Sequence, residues 1–185
     1  MDTWIWIVII VAVVVVLALV ALSTMRTRRT RDLKEGFGPE YDRTVDDAGS
    51  RRRAEAELAE RRQHREELDI RPLSPGARER YSSAWQTTQA RFVDDPGSAV
   101  TEADRLVQEV MRERGYPTDD FDQRSADISV DHPHLVENYR AAHEISLRND
   151  RGEASTEDLR QSLVHYRSLF EQLLEEATEP VETTR

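Results

Sequence analysis

The feature that most constrains this chain stands at its start. Trp4 to Leu22 is an unbroken run of 19 apolar residues with no charge in it. As a helix rising 1.5 Å per residue it covers about 28 Å, close to the hydrocarbon thickness of a bilayer. Much of the run is Val and Ile, weak helix formers in water. In lipid, however, the backbone can satisfy its hydrogen bonds only with itself, and that imposes a helix. Trp4 and Trp6 lie at one end, where indoles favour the interface, and Leu17 and Leu22 lie toward the other. The expected element is a transmembrane anchor over residues 1–24. The run holds no Gly-x-x-x-Gly pattern and no polar group, so neither a tight dimer face nor an ion path is expected of it.

The flanks predict orientation. Only the amino group and Asp2 precede the run, whereas Arg26, Arg28, Arg29 and Arg31 follow it. The positive-inside rule puts that basic side in the cytoplasm. The expected localisation is the plasma (inner) membrane, single-pass, N-terminus out and C-terminal domain cytoplasmic. The competing reading is a signal peptide cleaved at Ala21-Leu22-Ser23, which would make the remainder a secreted protein. Against it, there is no basic n-region, and the run exceeds the usual ~7–15-residue signal core.

Charge and composition exclude several classes. The formal net charge is −10. The first 34 residues are net positive, so the acid excess lies in the rest of the chain. An acidic domain of that kind does not suit nucleic acid, whose phosphates need a basic surface. The absence of cysteine excludes disulfides, thiol nucleophiles and thiolate metal sites. Charged residues make up 34% and aromatics 6%, which predicts a small aliphatic core under helices with heavily charged outer faces. No cofactor is implied.

Residues 25–49 read as a basic juxtamembrane segment and linker. Gly36-Phe-Gly-Pro-Glu-Tyr41 interrupts any regular helix there. It is either a plain linker or a structured turn in which Phe37 and Tyr41 dock. Residues 50–70 are dense in Arg and Glu, with Glu57 and Arg61 spaced for an i,i+4 pair. Their apolar stripe of Ala54, Leu58 and Leu68 is thin and broken by Arg61 and Arg65. The expectation is a solvated helical stalk with His64 exposed, and at most a weak self-association seam.

From residue 71 to 177 the pattern predicts a helical bundle. Ser74 and Pro75 fit an N-cap and first helical position. Ala77, Tyr81, Ala84, Trp85, Thr88 and Phe92 then recur at helical spacing. A turn at Asp94 to Ser98 precedes a stripe of Val100, Ala103, Leu106, Val107, Val110 and Met111, closed by Gly115. Thr118 is the expected cap of a short helix from Phe121 to Ile128. Asp131-His132-Pro133 is expected to open the next, with Val136, Tyr139, His143 and Leu147 on one stripe. Ser155 to Asp158 reads as a capping box, followed by Leu159, Leu163, Tyr166, Phe170, Leu173 and Ala177. Residues 178–185 are an expected disordered tail. No segment alternates with period two, so the fold class is all-α: a transmembrane helix, a charged helical stalk and a small helical bundle.

One polar cluster invites a chemical reading. Asp131, His132 and His134 are candidate metal ligands beside Asp127 and Glu137, since imidazole and carboxylate bind divalent ions. Their spacing matches no specific ligand pattern, and Asp131 or His132 could equally cap a helix. His143 and His165 sit on or beside apolar stripes and read as packed residues. No phosphate-cradling Gly loop or nucleophile elbow is present.

Several motifs carry a resemblance: Gly36-Phe-Gly-Pro-Glu-Tyr-Asp42, Leu68-Asp-Ile-Arg-Pro-Leu-Ser74, Gln89-Ala-Arg-Phe-Val-Asp-Asp-Pro96, Val110-Met-Arg-Glu-Arg-Gly-Tyr-Pro117 and Glu137-Asn-Tyr-Arg-Ala-Ala-His143. In these the chain resembles an uncharacterised family of bacterial proteins, single-pass membrane or sometimes labelled secreted, from about Leu33 to Leu174. The resemblance implies a bacterial source and no activity, cofactor or site residue. The expected function is a membrane-anchored scaffold or adaptor whose partners are the lipid bilayer and a protein, with Phe37, Tyr41 and Trp85 as docking candidates. The alternative is a metal- or small-ligand-binding sensor, or an enzyme, using the Asp127 to Glu137 region.

Overall fold

The computed structural model describes residues 3–175, without the side chains of residues 3, 5–11, 15, 18, 19, 22 and 26. The expected tail, Ala177, and the side chains of Trp6, Leu22 and Arg26 lie outside the described residues. Every regular element among the described residues is an α-helix: α1 (Thr3–Phe37), α2 (Pro39–Ala48), α3 (Arg51–Glu67), α4 (Pro75–Arg91), α5 (Pro96–Arg114), α6 (Phe121–Asp131), α7 (Val136–Asp150) and α8 (Thr156–Glu175). They fall into two compact units, Met1–Ala59 and Glu60–Arg185, with the division inside α3.

In the first unit α1 runs through the basic cluster without a break. The hydroxyls of Ser23, Thr24 and Thr27 donate to backbone carbonyls three or four residues back, so these polar side chains are satisfied within the helix. Trp4, Val13, Val14, Val16, Leu17 and Val20 are exposed on it. Among the described residues no helix is long and apolar enough to cross a membrane.

Residues 25–49 are helical where a linker was expected. Gly36 costs a helix about 1 kcal/mol relative to Ala. Burial of Leu33 and Phe37 on the same stretch offsets this, since hiding a large apolar side chain contributes about 1.5–3 kcal/mol. The break is confined to Gly38, whose φ of 50° lets the chain turn into α2 with Pro39 in its first turn. The structured turn is therefore the correct reading of the Gly-Pro motif: Phe37 and Tyr41 are both buried. The following segment also departs from a solvated stalk, because Ala54 and Leu58 of α3 are fully buried.

The second unit is a bundle in which α5 packs against α4, α7 and α8, while α7 packs against α8 and α6. The caps expected from sequence hold for three of its helices. Ser74 Oγ accepts from Ala77 N–H with Pro75 leading α4. Gly115 closes α5 at a φ of 103°. Ser155 and Asp158 exchange bonds at the start of α8 as a reciprocal capping box. The core centres on Trp85, Leu106, Val110, Met111, Tyr139, Tyr166 and Phe170, with the Trp85 and Phe170 rings stacked at 4.6 Å.

Two boundaries differ from the pattern. Asp120, not Thr118, caps α6, its carboxylate accepting from Gln123 N–H. The Thr118 hydroxyl is drawn elsewhere, accepting from Arg112 Nε. His132 ends α6 instead of opening α7, which begins at Val136 without a side-chain cap. The inward face of α7 is consequently Val136, Tyr139, Ala142 and Ile145, and Leu147 is exposed.

Candidate functional site

The densest polar constellation lies in the second unit, where the last turns of α3 meet α6. Asp127 and Asp131 are four apart and so lie on one face of α6. Asp131 Oδ2 accepts from Arg65 Nε and from the Tyr116 hydroxyl, both at 2.5 Å. The Tyr116 ring has two guanidiniums over it, Arg65 and Arg114, each at 5.7 Å. Burial and the Asp131 charge push the Tyr116 hydroxyl well above its ordinary pKa, so it stays a donor. Arg114 is itself buried and donates to the carbonyls of Arg71 and Leu173.

One turn back, the Asp127 carboxylate is almost wholly buried. Its Oδ1 accepts from Gln123 at 2.9 Å and faces His64 Nε2 at 3.7 Å. Burial raises its pKa above the ordinary carboxylate value, against the lowering effects of the Gln123 bond, His64 and Arg65. Nearby, Arg61 donates to Ser129. The arrangement clamps α3 to α6, and the burial of Asp127 disfavours its charged form. His64, expected to be exposed, is half-buried and part of the cluster.

The three candidate metal ligands do not converge. Asp131 is occupied by Arg65 and Tyr116, His132 is buried at the end of α6, and His134 is exposed. Among the described residues no group of three or more His, Asp or Glu could hold a metal ion. Trp85, expected as a docking residue, belongs to the core instead.

A second polar group is deeper in the bundle. The Tyr139 hydroxyl accepts from Arg124 Nε at 3.1 Å, and burial lifts its pKa to about 12. Burial and the charge of Asp104 raise that of Tyr166 further. His143 stacks on Phe121 at 3.7 Å, and burial lowers its pKa, which favours the neutral ring. These contacts make His143 the packed residue its stripe suggested.

In the first unit, Trp4 and Leu17 are exposed on α1, as are Arg28, Arg29 and Arg31. Glu55 of α3 ties the three helices together, its Oε1 accepting from Thr30 of α1 at 2.8 Å and from Tyr41 of α2 at 3.0 Å. Beside it is a cleft of about 540 Å³ lined by Arg29, Thr30, Arg51, Arg52, Glu55 and Ala56.

No family model, curated protein or solved structure matches the chain. The reading of its sites therefore rests on the geometry above. Sequence inspection found Asp127 and Asp131 but missed His64, Arg65 and Tyr116. The one signal that pointed to them was that Arg61 and Arg65 share the stripe of Ala54, Leu58 and Leu68, where a wholly solvated helix would place no preference.

Proposed function

We propose that this chain is a membrane-anchored helical scaffold that holds a protein partner at the cytoplasmic face. The observation that carries the reading is α1 itself. One uninterrupted helix of 35 residues joins the apolar run to Leu33 and Phe37, which are buried in a folded unit. Exposed Trp4, Val13, Val14, Val16, Leu17 and Val20 would be costly in water, at about 25 cal/mol per Å² of apolar surface, and are at home in lipid. The basic residues that follow set the inward orientation.

A scaffold also suits the polar clusters. Asp127 and Asp131 are engaged by Gln123, His64, Arg65 and Tyr116. They serve to fix helices rather than to face a ligand. The partner surface is not the docking set expected from sequence, since Phe37, Tyr41 and Trp85 are all buried.

The test is a topology assay on the full chain with a reporter after Arg185. A cytoplasmic signal with an intact N-terminus is expected. A periplasmic signal, or cleavage near Ser23, would overturn the reading.

A further inference from the structure

The cleft beside Glu55 has a composition unlike the rest of this acidic chain. Three arginines line it, from two helices, against a single carboxylate. That carboxylate is turned to structural use by the Thr30 and Tyr41 hydroxyls. The bonds fix α3 against α1 and so hold Arg51 and Arg52 opposite Arg29. Elsewhere arginines meet carboxylates, as in Arg80 with Glu113, Arg148 with Asp158 and Arg167 with Glu171.

We propose that this cleft binds the phosphate of an anionic phospholipid headgroup. The inference rests on the anchored reading above and adds a specific lipid contact to it. Guanidinium forks match phosphate oxygens in pairs, and a fixed set of three selects phosphate over the zwitterionic surface around it. The position along α1 identifies the source. Arg29 is seven residues past Leu22, about 10 Å along the axis. The headgroup layer extends about 5–8 Å beyond the hydrocarbon on each side. Helical side chains lean toward the N-terminus, here back toward the bilayer, so Arg29 reaches the phosphate level. A basic pocket at this depth on the cytoplasmic side is where anionic headgroups are held.

The full-length protein is reconstituted into phosphatidylcholine bilayers, with and without a minor share of phosphatidylglycerol. The lipid retained after mild detergent extraction is then quantified. Wild type should enrich phosphatidylglycerol. Arg51→Gln with Arg52→Gln should weaken that preference about 30-fold, at the usual strength of two basic residues near a lipid surface. Arg28→Gln with Arg31→Gln removes the same charge outside the cleft and should leave most of the enrichment. No enrichment in wild type, or equal loss in both double variants, overturns the headgroup site while leaving the anchor standing. Saturation of the cleft by inorganic phosphate, with no phosphatidylglycerol preference, overturns the lipid as source. Failure of wild type to float with pure phosphatidylcholine vesicles overturns the anchored reading, and this inference with it.

Discussion

The helices before Ala59 and those after Glu60 bury apolar residues in different ways. The first unit hides a short set, Leu33, Phe37, Tyr41, Ala54 and Leu58, and fixes it with hydroxyl bonds to one carboxylate. The second has a continuous core running through α4, α5, α7 and α8. A small interior leaves each contact a larger share of the local stability, because buried fraction grows with domain size. The first unit thus depends on individual bonds, and the second on the sum of its packing.

The largest effect should come from the second core. Phe170→Ala removes the ring stacked on Trp85 and should cost about 3–5 kcal/mol, read as a lower denaturation midpoint. A loss below about 1 kcal/mol would show a core that collapses around the gap, and the contrast between units would weaken. Phe37→Ala in the smaller interior should fall at the low end of the same range, about 3 kcal/mol. Its signature is local: amide exchange should accelerate in α2 while α8 stays protected. Equal acceleration in both would show that the two regions open together.

Gly115→Ala probes the second unit's backbone. The residue sits at a φ of 103°, and a Cβ there would meet the Asp69 carbonyl oxygen at 2.5 Å. The expected loss is about 1–3 kcal/mol in thermal unfolding. Arg65→Gln should cost about 1.5 kcal/mol, because Asp131, about a fifth exposed, loses a charge-assisted bond and keeps the one from the Tyr116 hydroxyl. A neutral result would make the α3–α6 clamp a packing contact alone.

The smallest effect concerns pH. Burial raises the folded pKa of Asp127 above the ordinary carboxylate value, so the folded state holds its proton longer than the unfolded chain does. Stability associated with that proton is present below the unfolded pKa and is lost as pH rises through the folded one. Asp127→Asn should remove this decline and flatten the stability profile above about pH 4, followed by denaturant titrations at stepped pH. An unchanged slope would assign the decline to another group.

Much of the second unit was legible in sequence because its signals are local. Ser74, Gly115 and the Ser155–Asp158 box act within four residues of themselves, and so do the stripes on α5 and α8. The misreadings have physical causes of two kinds. Gly36 and Pro39 read as helix breakers, yet burial of Phe37 and a single turn at Gly38 keep helices on both sides. Asp120 competed with Thr118 for one cap, and local pattern does not rank two adequate caps. The candidate site was half visible: Asp127 and Asp131 share a face by spacing alone. Their partners His64, Arg65 and Tyr116 come from other segments, and no periodicity within α6 encodes which segment will arrive there.

The unbroken course of α1 has a mechanical consequence. A helix of 35 residues is a rod of about 52 Å. On the anchored reading proposed above, a bilayer of changing thickness would change the tilt of such a rod, and about 10° of tilt displaces its end by about 9 Å. The rod ends at Phe37, and the next residue, Gly38, is where the chain turns into α2. On that reading, a change in membrane thickness would swing α1 together with α2 and the start of α3, which Glu55 fixes to it.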